Sequence, residues 1–230
     1  MKAVVIIRPQ SLQGQVGDLL IKSGFAPIFL PAATVVKLDY IDSESDIAIF
    51  VSQPSVQYGP SSLQTTTVFA IGPQTALSIE RSHQSGVVLP TRFSTEGLLD
   101  HHLLQNIENQ RINIYCGQHS KNKLFETLQS RGAHVEKKVV YALSAPSAVT
   151  LNKEYPSKGV IWVSSFELLK RFKTYYIEKR ELSCFKNYDM ITATSVSQED
   201  IRALGFKGQV HWLNNPSQSA MIEGLKAIDW

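Results

Sequence analysis

The sequence predicts an α/β protein built on two parallel sheets, and three observations carry that reading. Short runs rich in Val and Ile recur along the chain, with amphipathic stretches between them. The runs are continuously apolar, as parallel strands are when helices cover both faces of the sheet. They are also too many for one open sheet in 230 residues, so two sheets of about five strands each fit better.

The elements come in order. Ala3-Val4-Val5-Ile6-Ile7 predicts a first strand, 3–7, which Arg8-Pro9 ends. That run is too short for a signal-peptide core of about 7–15 apolar residues. Leu12, Val16, Leu19 and Leu20 fall at helical spacing over 11–22, and Gly24 suits a C-terminal cap. Residues 25–30 predict the next strand, stopped by Pro31. The same period places strands at 47–51, 68–71, 86–89, 112–116, 135–139, 160–163, 190–193 and 209–213. It places helices at 74–82, 95–107, 121–132, 166–178, 197–204 and 217–228.

Two extended segments, 30–37 and 139–146, lack helical period. About 100 residues lie between them, a common domain size. The expectation is an inserted domain, 37–139, within an outer domain of 1–33 plus 144–230. The two extended segments would run side by side as the hinge.

Composition excludes several classes. At 43% apolar and 19% charged, the chain is neither disordered nor fibrous. No run of about 20 apolar residues exists to span a membrane. A net charge of +3 does not mark a nucleic-acid binder. Cys116 and Cys184 form no CxxC pair and read as reduced, buried thiols of a cytoplasmic protein. The histidines show no HxxxH spacing, and His101-His102 reads as a helix-surface pair. Asp42, Glu44 and Asp46 read as a solvated acidic loop. Neither GxGxxG, a P-loop nor GxSxG is present, which argues against a dinucleotide site, a P-loop nucleotide site and a hydrolase elbow.

The residues just after each strand are more informative. The strand ends deliver Arg8, Ser52-Gln53, Ile71-Gly72 with Thr75, Gly117, Ser164-Ser165 and Thr194-Ser195. Open α/β sheets bind ligands at that edge. The helix that starts there has unpaired N–H groups and a positive dipole end, which favour anions. Each Ser or Thr alone reads first as a helix cap. Their repetition points to a small polyanion. Tyr141 lies in the second extended segment, where it either packs the hinge or faces a cleft. Its phenol is protonated and able to donate at neutral pH.

Together these residues resemble the uroporphyrinogen-III synthase family. Arg8-Pro9 after the first strand resembles that family's opening. Ile49-Phe50-Val51-Ser52 resembles its "I-F-T-S" strand end, and Ala70-Ile71-Gly72-Pro73-Gln74-Thr75-Ala76 its "V-G-x-x-T-A" turn. Glu96-Gly97-Leu98-Leu99, Cys116-Gly117, Val139-Val140-Tyr141, Val163-Ser164-Ser165 and Ile201-Arg202-Ala203-Leu204-Gly205-Phe206 come next, in family order. The chain departs at Val51, where Thr is usual. It departs again at Gln53-Pro54, which leads us to expect a late or short helix after Ser52. Lys121 stands where Arg is frequent, and 192–195 match neither common form of the last turn.

The resemblance implies two doubly wound, flavodoxin-like domains joined by a two-stranded β-ladder. It implies an enzyme without cofactor or metal that cyclises hydroxymethylbilane, a linear tetrapyrrole with an acetate and a propionate on each ring. Loss of the terminal hydroxyl as water leaves an azafulvenium on ring A. Bonding to the substituted carbon of ring D gives a spiro intermediate, whose fragmentation inverts ring D before closure. Backbone N–H groups after Ser52, Ile71, Gly117, Ser164 and Thr194 would hold carboxylates in an interdomain cleft. Arg8 would add positive charge, Thr75 would orient substrate or cap its helix, and Tyr141 would assist the leaving hydroxyl. A monomer is expected, with transient contact to the preceding enzyme as an option. The rivals are a non-catalytic anion-binding module of the same fold and a degenerate interaction protein.

Overall fold

The computed structural model describes all residues except 14–15, 84–85, 147–150, 152–153, 195 and 230. In chain order it contains β1 (Lys2–Ile6), α1 (Val16–Lys22), β2 (Phe25–Phe29), β3 (Thr34–Lys37), β4 (Ile47–Phe50), α2 (Gln53–Gln57), β5 (Thr67–Ala70), α3 (Pro73–His83) and α4 (Thr95–Asp100). After these come β6 (Arg111–Gly117), α5 (Lys123–Ser130), β7 (His134–Ser144), β8 (Val160–Val163), α6 (Phe166–Phe172), β9 (Asp189–Thr192), α7 (Gln198–Ala203), β10 (Val210–Trp212) and α8 (Gln218–Ala227). Among the described residues no helix is long and apolar enough to cross a membrane.

The strands form two five-stranded sheets, ordered β10-β9-β8-β1-β2 and β3-β7-β6-β4-β5. β1 pairs in parallel with β2 and β8, and β4 with β5 and β6. Numbered by appearance, the first sheet reads 2-1-3-4-5, and in the second β5-β4-β6-β7 follow the same 2-1-3-4 order with β3 added at the far edge, so the order switches between β1 and β8 and between β4 and β6. The carboxyl ends flanking such a reversal are where doubly wound sheets bind ligands. Chain contacts divide the molecule into a unit of 1–34 plus 144–230 and a unit of 35–143. β3 and β7 carry the chain between the units and lie side by side. The Leu38 N–H bonds the Val140 carbonyl at 3.0 Å, and the Ser144 hydroxyl bonds the Thr34 carbonyl at 3.4 Å.

Burial explains the strands. Val4, Ile6, Val160 and Trp162 pack with Val16, Leu20, Met221 and Leu225 on one face of the first sheet. In the second unit, Ile49, Ile112, Ile114 and Val135 pack beneath α4 and α5. Ala48, Phe50, Val68 and Tyr115 pack with Val56 of α2 and Ala76 and Ile79 of α3. Gly24 caps α1 with φ 86, a conformation glycine adopts without a Cβ clash.

Several local expectations give way. Residues 86–89 make one bridge, Val88 to Phe69, rather than a strand. Both ladder bonds centre on Val88, and Pro90 comes soon after without a donor. The helix expected over 95–107 ends at Asp100, because His101 turns extended (ψ 133) and its Nδ1 accepts the Leu103 N–H to start a separate 3-10 turn. The Gln105 side chain then satisfies the Leu99 and His101 carbonyls. His101 and His102 therefore sit at a helix end, not on its face. The helix over 166–178 is α-helical only to Phe172 and continues as π-helix, Lys173–Glu178, while the Tyr176 hydroxyl reaches the Pro31 carbonyl at 3.1 Å. The acidic loop is anchored: Asp42 accepts the Tyr115 hydroxyl at 2.8 Å, and Asp46 accepts the Arg111 N–H at 2.8 Å. Cys116 is buried as expected, but Cys184 is only half-buried.

Gly97 shows why α4 starts on glycine in its first turn. A Cβ there would stand 1.9 Å from the Arg92 carbonyl oxygen and 2.8 Å from its carbon. The backbone before the Ser94 cap crosses over that turn, and backbone does not yield as a side chain does. Gly97→Ala is expected to destabilise the protein by about 1–3 kcal/mol, read as a lower urea midpoint. An unchanged midpoint would mean that residues 90–93 move aside at no cost.

Candidate active site

The second sheet reverses between β4 and β6, and that edge gathers Ser52, Gly117 and Tyr141. Ser52 lies just past β4 and caps α2. Its Oγ accepts the Ser55 N–H at 3.2 Å, while Ser55 Oγ accepts the Ser52 N–H at 3.1 Å. This reciprocal box, with Pro54 pre-set for a first turn, makes α2 begin at Gln53 without delay. The helix is short, as expected, but it does not start late.

Tyr141 reaches the same point from β7 through a bulge. β6 and β7 pair residue for residue from Arg111↔His134 to Cys116↔Val139, and then Gly117 pairs with Tyr141, skipping Val140. Successive side chains of a regular strand face opposite sides. Val139 packs with the α4–α5 side of the sheet, whereas Val140 and Tyr141 both pack on the α2–α3 side. The extra residue thus turns Tyr141 toward α2, as bulges re-aim side chains. There the Ser52 hydroxyl donates to the Tyr141 hydroxyl at 3.1 Å, across 89 residues of sequence. The ring lies against Gly117, where a Cβ would come within 2.6 Å of Cζ. Burial raises the pKa of Tyr141 above the usual phenol value, and the bond from Ser52 opposes that shift. The phenol therefore keeps its proton through the neutral range.

The neighbouring strand ends are partly committed. The Ile71 N–H bonds the Phe50 carbonyl at 3.0 Å, and the Gly72 carbonyl accepts the N–H groups of Thr75 and Ala76. Thr75 is buried within the first turn of α3. The Gln118 N–H, the first donor after Gly117, is spent on the Tyr141 carbonyl at 2.9 Å. Gln53 is half-buried in the first turn of α2.

The first sheet reverses between β1 and β8, whose ends carry Arg8 and Ser164-Ser165. Arg8 is half-buried, and desolvation lowers its pKa from the ordinary guanidinium value. Ser164 is half-buried, and Ser165 caps α6 by accepting the Leu168 N–H at 3.2 Å. At the end of β9, the fully buried Thr192 accepts the Thr194 N–H, and the two hydroxyls lie 2.9 Å apart. Thr192 therefore supports Thr194 from within. Ser195 lies outside the described residues. Sequence reading missed Ser55 and Val140; the Ser-x-x-Ser spacing of the box was the one signal available. Among the described residues no three His, Cys, Asp or Glu side chains stand close enough to hold a metal ion.

Comparison with known proteins supplies the family. No curated protein matches the sequence. Among solved structures, uroporphyrinogen-III synthetase from Helicobacter pylori is 13% identical, covers 99% of both chains and superposes with a TM-score of 0.64. A mutant uroporphyrinogen III synthase from Thermus thermophilus is 14% identical over 98% of both chains, with a TM-score of 0.56. At such identities these likenesses establish the fold, two α/β units on mainly parallel sheets, as the sequence predicts. The family model described as uroporphyrinogen-III synthase HemD matches residues 15–222, most of the chain. The chain belongs to the uroporphyrinogen-III synthase family.

Proposed function

We propose that this protein is a uroporphyrinogen-III synthase of the hydro-lyase type, converting hydroxymethylbilane to uroporphyrinogen III with loss of water and inversion of ring D. The observation that carries the reading is the family match across residues 15–222. The placement of Tyr141 supports it: a protonated phenol stands at the carboxyl edge of a doubly wound sheet, accepting from Ser52 rather than donating to it. Tyr141 donates to the departing hydroxyl of ring A, so that water leaves and the azafulvenium forms. The substituted carbon of ring D then bonds to that centre, and holding the chain folded for this attack is catalysis by proximity and orientation. Arg8, Gly72, Ser164 and Thr194 bind substrate carboxylates. The free cysteines agree with a reducing, cytoplasmic setting.

The test is incubation with freshly made hydroxymethylbilane and separation of the product isomers. Enrichment of isomer III over isomer I is expected. Isomer I alone, as forms without enzyme, would leave the anion-binding module as the better reading. For Arg8→Ala, KM is expected to rise about tenfold with kcat near wild type, the loss of one charge-assisted bond. Unaltered kinetics would remove Arg8 from the carboxylate contacts.

A further inference from the structure

Ser52 Oγ stands between two partners, accepting from one and donating to the other. Its Oγ accepts the backbone N–H of Ser55 at 3.2 Å, a bond an amide cannot reverse. A serine hydroxyl carries one proton. That proton is directed to Tyr141 Oη at 3.1 Å. Tyr141 therefore accepts from the protein at this contact, and its own proton is left for a third atom. The Ser52 N–H is held as well, by Ser55 Oγ at 3.1 Å, and Ser55 Oγ donates to the Ser52 carbonyl at 2.6 Å. The serine that faces the phenol is thus tied at its nitrogen, carbonyl and hydroxyl. Chains of hydrogen bonds polarise one another in one direction. Here the direction runs from the first turn of α2 outward through Ser52 to Tyr141.

The geometry points to Ser52 as a positioning residue: it orients the Tyr141 hydroxyl so that the phenolic proton is presented to substrate, and it does not itself bind a carboxylate. This rests on the donor role of Tyr141 proposed above. The bond from Ser52 also draws the phenol's pKa back against the rise caused by burial.

Three variants of the full chain separate this role from helix capping. Glycine caps a helix nearly as well as serine. Ser52→Gly keeps the start of α2 and removes the donor to Tyr141. Ser52→Asp keeps the acceptor for Ser55 but has no proton, so Tyr141 must donate to it. Ser52→Thr retains the hydroxyl. With fresh hydroxymethylbilane, kcat for isomer III is expected to fall about 30-fold in Ser52→Gly and further in Ser52→Asp, with KM within about twofold. Ser52→Thr recovers most of the loss. Titration of phenolate absorbance, as the difference between each variant and its Tyr141→Phe counterpart, should show Tyr141 ionising at higher pH in the Gly and Asp variants. Circular dichroism verifies folding, and the Gly variant alone decides the matter if the Asp variant does not fold. A raised KM with wild-type kcat would overturn the proposal and return Ser52 to the substrate contacts. So would wild-type kcat in Ser52→Gly alongside an impaired Tyr141→Phe. If Tyr141→Phe itself turns over normally, the donor reading has failed rather than the positioning alone.

Discussion

Tyr141→Phe is expected to lower kcat for isomer III by about 10²-fold or more, the usual worth of a placed proton donor, with little change in KM. The substitution removes one oxygen and keeps the ring that covers Gly117. Stability should fall by only about 1 kcal/mol, since the Ser52 hydroxyl loses an acceptor but is only half-buried. A large kinetic effect with a small stability effect is the signature of a group that acts on the reaction. The pH dependence has a definite sign. Burial raises the pKa of Tyr141, so its proton is retained to higher pH than a free phenol's. Activity should therefore not decline from this group as pH rises toward the ordinary phenol range. Measured kcat for the Phe variant equal to wild type would remove Tyr141 from the chemistry.

Gly117→Ala should combine both kinds of damage. The glycine does not occupy the left-handed region, so alanine meets no backbone strain. What it meets is the Tyr141 ring, with Cζ at 2.6 Å, Cε2 at 2.8 Å and Oη at 2.9 Å from the added methyl. The ring has to swing away, and the bond from Ser52 breaks with it. Activity should fall as far as in Tyr141→Phe, and stability by about 1–3 kcal/mol from overpacking. A second substitution isolates the cause. In Gly117→Ala/Tyr141→Ala the methyl has no ring to meet, so the double variant should be more stable than the sum of the singles implies, by an interaction of about 0.5–3 kcal/mol. Additive losses would show that the methyl is accommodated in some other way.

How much of this was legible in sequence depended on distance along the chain. Strands such as Val160–Val163 are read directly, because they are buried on both faces and leave an unbroken apolar run. The strand ends that carry Arg8, Ser52, Gly117 and Ser164 are located by the same runs. Residues 86–89 looked like a strand because an apolar stretch also forms where a single residue bridges a sheet edge. The break at His101 depends on an imidazole nitrogen taking a backbone N–H, which composition does not reveal. Tyr141 was marked by its place in an extended segment. Its partner Ser52 is 89 residues away, and no local pattern joins them. The order of the hydrogen bonds, which decides what each hydroxyl does, belongs wholly to the fold.

The bulge at Val140 also divides β7 into two phases. Up to Val139 the side of the sheet a residue faces obeys one odd-even count, and from Tyr141 onward it obeys the other. A one-residue deletion anywhere in 134–138 would set the preceding residues against the wrong side of the sheet. Loss of Val140 itself would leave Val135 and Val139 on their side and Tyr141 on its own, at the cost of one buried side chain. Within this strand, Val140 is thus the position at which chain length can change while the phenol keeps its address.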